Sequence, residues 1–214
     1  AARGYGAFPV ESMLAPEAEA LIKSRLDELW RAEPGSMSLL WLYDGGGWRP
    51  DADPALRRSV QGYFDGLDAQ VRRELPGEEF RLADLHIRRA ARDKAIGHEL
   101  HTDDPYLSAN YVLRRTGREE GTTIYVVEDG QVRELVVAPG MVGLASGWER
   151  EEATGIPAPV HSAPRAPVEL RDVIMATFVG IVRGSGEAMA AIQERNKHRV
   201  ELVERLLAAA RRPD

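Results

Sequence analysis

The residues best equipped for chemistry gather in one short stretch, Gly97-His98-Glu99-Leu100-His101-Thr102-Asp103-Asp104. On an extended backbone, residues i and i+2 project from the same face. His101 and Asp103 are therefore predicted to point together into an enclosed space. Sixty residues after His101, Val160-His161-Ser162 places an isolated histidine in a strand-like stretch. Two imidazoles and one carboxylate form a donor set for a divalent transition metal, and on one face of an octahedral ion they leave half of its coordination sphere open to reactants. Ten residues after His161, Arg171 opens the apolar strand Val173-Ile174-Met175-Ala176-Thr177-Phe178-Val179. A guanidinium there is costly to bury without a partner, and a carboxylate ligand gripped in bidentate fashion would supply one.

These groups need a scaffold, and the hydrophobic pattern supplies it. Pro16 suits a first helical position, and Leu21/Ile22, Leu26 and Leu29/Trp30 follow at helical spacing. Ser38–Tyr43 is a short apolar run stopped by Gly45-Gly46-Gly47. Asp53-Pro54 caps a second helix with the stripe Leu56, Val60, Tyr63/Phe64, Leu67, Val71 and Leu75. From about residue 79 the period changes to two. Strands are predicted near 80–89, 107–114, 121–128, 131–137, 141–145, 159–163 and 171–182, with Asp129-Gly130 as a hairpin turn. An amphipathic helix over roughly 187–211 closes the chain.

The expected fold is mainly β with flanking helices, a jelly roll carrying its N-terminal helices on one sheet. It reads as one domain over 1–214: a helical support region over 1–78, a jelly-roll core over 79–182 and a C-terminal helix over 183–214. Cysteine is absent, which excludes disulfides, thiol nucleophiles and thiolate metal sites. A formal charge of −6 argues against non-specific binding to nucleic acid. No apolar run approaches the ~20 residues of a membrane span, and the N-terminal residues lack the apolar centre of a signal peptide, so a cytoplasmic protein is expected.

In chain order, His101-Thr102-Asp103, the segment Gly121-Thr122-Thr123-Ile124-Tyr125, the Pro139-Gly140 turn, His161 and Arg171 together resemble the Fe(II)/2-oxoglutarate-dependent oxygenase superfamily over about residues 79–182. The resemblance implies a double-stranded β-helix. It implies Fe(II) on His101, Asp103 and His161, and Arg171 on the distal carboxylate of 2-oxoglutarate, with Tyr111 and Thr123 at positions that assist in that pocket. Val173 stands two residues after Arg171, where many members of the family have Ser or Thr. The activity implied consumes O2 and 2-oxoglutarate, releases succinate and CO2, and oxidises an unactivated C–H bond, with hydroxylation as the default outcome. The presence of Asp103 sets the chain apart from the halogenating members, which have a small residue there.

His98 lies at an odd offset from His101 and is predicted to face away from it. Arg88-Arg89, Arg92, Arg114-Arg115 and Arg118 form a basic cluster around the metal-bearing strands. Most of it reads as a solvated face, with one or two members reaching an anionic substrate. The substrate-contact candidates are Arg88, Trp148 and Arg165, and the polar segment 147–159 is a candidate lid. The expected partner is a small or carrier-borne metabolite, anionic if the arginines reach it. Two other readings fit the same residues: a cupin-like metal enzyme working without 2-oxoglutarate, and a non-catalytic β-sandwich binding module.

Overall fold

The computed structural model describes residues 4–9, 14–34, 38–91, 99–115, 123–137, 140–162, 170–181 and 189–211. The expectations placed on Arg92, His98, Arg118, Gly121, Thr122, Pro139 and Arg165 lie outside those residues.

Both N-terminal helices form where their caps and stripes require. Helix α1 (Pro16–Ala32) starts on Pro16, whose fixed φ suits the first turn, and buries Ala18, Ile22 and Leu26. Helix α2 (Pro54–Glu74) is capped by Asp53, which accepts from the backbone N–H of Ala55 at 2.8 Å and of Leu56 at 3.4 Å. Such a cap contributes about 1 kcal/mol. The same carboxylate accepts from Arg25 Nε at 2.9 Å, which ties α1 to the start of α2. Leu56, Val60, Tyr63, Leu67 and Val71 turn inward and are buried. Burying one such aliphatic side chain stabilises by roughly 1.5–3 kcal/mol.

The helices cover one face of a seven-stranded antiparallel sheet. Its strands are β1 (Tyr5–Pro9), β2 (Ser38–Asp44), β3 (Gly47–Trp48), β4 (Phe80–Ala91), β5 (Leu107–Arg115), β8 (Met141–Ser146) and β10 (Leu170–Gly180), ordered β1-β8-β5-β10-β4-β2-β3. A smaller sheet, β7-β6-β9, consists of β6 (Thr123–Glu128), β7 (Gln131–Val136) and β9 (Val160–Ser162). Side-chain alternation divides the large sheet cleanly. Leu85, Ile87, Ala109, Tyr111, Ile174, Ala176 and Phe178 pack with the helices. Arg89 and Asp172 share that face, where Arg89 pairs with Asp172 at 2.7 Å and with Asp27 of α1. By parity, Arg88, Ser108, Asn110, Arg171 and Val173 face the other way, toward the site. Helix α4 (Met189–Ala210) packs beside β7 and β9 and buries Val203. This is the jelly-roll architecture with flanking helices that the residue pattern predicts.

Three elements differ from that pattern. β1 pairs with β8, and β3 completes a hairpin with β2 through Gly45 and Gly46, both at positive φ. Segment 147–159, read as a candidate lid, contains helix α3 (Trp148–Thr154), which is fixed by buried charge. Arg150, fully buried, donates to Glu78 at 2.7 and 2.8 Å, and Tyr106 donates to the same carboxylate at 2.7 Å. Glu151 accepts from Arg195 at 2.9 Å, from Arg199 at 2.8 Å and from the Ala158 N–H at 2.9 Å, which binds α3 to α4. The segment is a bracket rather than a lid. A helix of about two turns, rich in glutamate, has no apolar period to reveal it.

A candidate metal centre between the sheets

His161 sits in β9, and His101 joins it through a single antiparallel bridge. The two residues exchange both backbone hydrogen bonds, His101 N–H to His161 O at 3.0 Å and His161 N–H to His101 O at 2.9 Å. Direct opposition places their rings on the same side of the pair, with centroids 4.4 Å apart. Asp103 lies beyond the bridge, in the turn leading to β5, so its approach is not the simple i, i+2 alternation of a continuous strand. It nevertheless reaches the same point. Its carboxylate oxygens stand 3.8 Å from His101 Nε2 and 3.3 Å from His161 Nε2. One ligand atom from each of the three residues falls within 4.8 Å of the other two.

The imidazoles are oriented from behind. His101 Nδ1 lies 2.7 Å from the carbonyl of Glu99, and His161 Nδ1 lies 3.4 Å from that of Pro159. A carbonyl can only accept, so each Nδ1 carries the proton and each Nε2 keeps its lone pair for a metal. The carboxylate is prepared as well. Burial works against its charged form, but the hydrogen bond and charge of His161, the Ser108 hydroxyl and the charge of His101 outweigh it and hold Asp103 at about 2. Burial pushes His161 down, whereas Asp103 raises it by more, so the net direction is upward. Without a metal, the Asp103 carboxylate favours the protonated form of His161, and a divalent cation can replace that proton.

A close backbone approach sets the position of Asp103. A Cβ placed on Gly147 would lie 2.1 Å from Pro105 O and 2.5 Å from Asp103 O, so only glycine fits. That contact lets the first turn of α3 reach the ligand turn. Trp148 N–H donates to Asp103 O at 3.0 Å, and Glu149 N–H donates to Asp104 O at 3.2 Å. Thus Trp148 touches the site through its backbone.

Arg171 is buried and lies on the site-facing side of β10, opposite in parity to Asp172. Arg88 shares that face of β4, directly across from Val173, and senses the charge of Asp103. Two expectations need correction. Tyr111 points to the helices, its ring 6.1 Å from Tyr63 of α2, because it falls on the odd parity of β5. Thr123 pairs with Ser162, whose hydroxyl lies 3.4 Å from that of Tyr125, so it belongs to the outer face of the small sheet; its neighbour Ile124 opposes His161. Neither Tyr111 nor Thr123 lines the site. Sequence reasoning missed Ser108 and Asn110, which occupy the inward parity of β5. Asn110 Oδ1 is buried and has no hydrogen-bond partner among the described residues. Two-residue spacing along β5 was the available signal.

Among solved structures, a Shewanella oneidensis protein provisionally described as an oxygenase superposes with a TM-score of 0.60 at 14% identity, over 94% of this chain and 93% of that one. A rice dioxygenase for auxin oxidation matches at 0.57 and 16%, over 94% and 86%. HygX from Streptomyces hygroscopicus, solved with nickel and 2-oxoglutarate bound, matches at 0.54 and 15%, over 83% of each chain. The chain has the fold of the Fe(II)/2-oxoglutarate oxygenases. No protein-family model matches its sequence, and no curated protein does. The oxygenase fold is therefore reached through shape and through the His101–Asp103–His161 triad. No described helix is long and apolar enough to cross a membrane.

Proposed function

We propose that this protein is a non-haem Fe(II)/2-oxoglutarate-dependent oxygenase that oxidises an unactivated C–H bond of a small or carrier-borne metabolite, releasing succinate and CO2. The observation that carries the reading is the convergence of two Nε2 lone pairs and one carboxylate, each oriented by its own hydrogen bond. The donor set suits Fe(II): imidazole and carboxylate on one side, with the rest of the coordination sphere left for reactants. His101, Asp103 and His161 would hold the iron, whose chemistry when bound is the activation of O2 coupled to decarboxylation of the co-substrate.

The chain's own part is binding and orientation. The Glu99 and Pro159 carbonyls keep both imidazoles in the ligating tautomer. The Ser108 hydroxyl holds the Asp103 carboxylate. Arg171 supplies the buried cation that would grip the distal carboxylate of 2-oxoglutarate, and Asn110 Oδ1, which has no hydrogen-bond partner among the described residues, would offer an acceptor on the same face of the sheet. The neighbour crystallised with nickel and 2-oxoglutarate supports this reading by its likeness in fold.

The decisive experiment incubates Fe(II)-loaded protein with 2-oxoglutarate and panels of amino acids and pathway intermediates, following succinate. Substrate-stimulated succinate that disappears in Asp103→Ala is the expected result. Stoichiometric metal binding without succinate under any condition would favour a metal enzyme of cupin type. Failure to bind metal at all would leave a binding module.

A further inference from the structure

Arg88 is a partly buried cation on the site-facing side of β4. Among the described residues it has no hydrogen bond or ion pair. Its neighbour Arg89, of opposite parity, is saturated by Asp172 and Asp27. Asp84, two pairs along the same face, is taken by His86, at 3.2 Å. Burial pulls the guanidinium's pKa below its usual value, outweighing the charge of Asp103, which acts on it among the described residues. A cation held at such cost in the space beside the triad is complementary to an anion that comes from outside.

The surroundings describe the rest of that visitor. Arg88 lies between Val173 of β10 and Leu39 of β2. One pair along, His86 opposes Trp41, their rings 4.6 Å apart. Trp41 is 39% exposed, a large aromatic surface left open on the same face as Arg88. Arg171 sits one strand nearer the middle of the sheet, and Arg88, Trp41 and His86 lie toward its β2–β3 edge.

We propose that Arg88 anchors an anionic group of the primary substrate, a small carboxylate whose apolar body rests on Trp41 and His86. This rests on the oxygenase reading for the word substrate, but the anion site itself does not depend on metal. The test uses phenylacetate and hydrocinnamate with their neutral amides, titrated against the Zn(II)- and 2-oxoglutarate-loaded protein by calorimetry and ligand-observed NMR. The acids are expected to bind more tightly than the amides. Arg88→Leu should weaken the acids roughly ten- to a hundredfold and leave the amides unchanged, the size expected for removing a hydrogen-bonded charge partner. Arg88→Lys should restore part of that loss, and Trp41→Ala should weaken acids and amides alike. Both guard against a misfolded Arg88→Leu. Equal binding of acid and amide, or no binding of either acid to the wild type, would overturn the proposal. So would an Arg88→Leu protein that loses 2-oxoglutarate affinity while keeping the acids, because Arg88 would then serve the co-substrate. Separate titrations of metal and 2-oxoglutarate keep the two readings apart: acid binding through Arg88 without metal binding would sink the oxygenase and keep the anion site.

Discussion

His101 and His161, sixty residues apart in the chain, form one closely hydrogen-bonded antiparallel pair at 2.9 and 3.0 Å. The bridge fixes the separation of the two ring nitrogens before any metal arrives. Asp103 needs only to be brought over the pair to complete a three-point site.

Removing one of three ligands should cost far more than a third of the affinity, because the remaining two no longer define a face. His101→Ala and Asp103→Ala are each expected to abolish succinate formation and to weaken Mn(II) binding, measured by calorimetry, by at least about tenfold. Full activity in Asp103→Ala would refute the site.

Arg171→Ala should act on the co-substrate alone. Its expected signature is a higher 2-oxoglutarate requirement with unchanged Mn(II) affinity, because Arg171 lies on β10 and contributes no ligand. A loss of metal binding in that variant would remove its assigned role.

The metal-free protein should show a pH dependence set by the Asp103–His161 pair. The folded value of His161 is raised, so its contribution to stability is complete below the unfolded value of about 6.5 and is lost as pH rises through the folded value. Asp103 is lowered to about 2, so its contribution is present above the ordinary carboxylate range and is lost as pH falls toward 2. Metal binding needs neutral His161, so affinity should climb over the interval in which this pair's contribution to apoprotein stability declines. Thermal melts of wild type and Asp103→Asn from pH about 3 to 9, with and without Mn(II), read both trends. Metal affinity that is flat with pH would contradict the assignment.

Gly147→Ala places a methyl group against Asp103 O and Pro105 O. Relief requires α3 or the ligand turn to move, at roughly 1–3 kcal/mol of stability. Mn(II) affinity should fall although no ligand has changed. An unaltered affinity would show that α3 does not position Asp103.

Glu78→Ala would leave Arg150, which is fully buried, without its carboxylate. Breaking such a pair from one side destabilises by about 3–5 kcal/mol. The urea midpoint should drop accordingly, and the Tyr106 hydroxyl would lose its acceptor as well.

Much of this was legible from residue order. Asp53 and Pro54 announced α2, and the alternation from residue 80 onward announced the strands, because caps and side-chain periods are local properties. His101, Asp103 and His161 stood out by type. Tyr111 and Thr123 were misplaced by one step of strand parity: on β5 and β6 the neighbouring residue faces the site, and a single step exchanges the two faces of a sheet. Helix α3 escaped because its stability comes from ion pairs to Glu78, Arg195 and Arg199, contacts that no local pattern encodes.

Residue order alone settles which groups are available: two imidazoles, a carboxylate, a set of arginines and the strands that carry them. Their meeting is decided by the folded chain, through the register of the His101–His161 bridge, the bare Cα of Gly147 under α3, and the parity that turns Arg88 toward the site and Arg89 toward the helices. The physical reason is reach. Caps and periods act over a few residues, whereas a metal site demands that atoms distant in the chain fall within 4.8 Å, which only sheet register and packing can enforce.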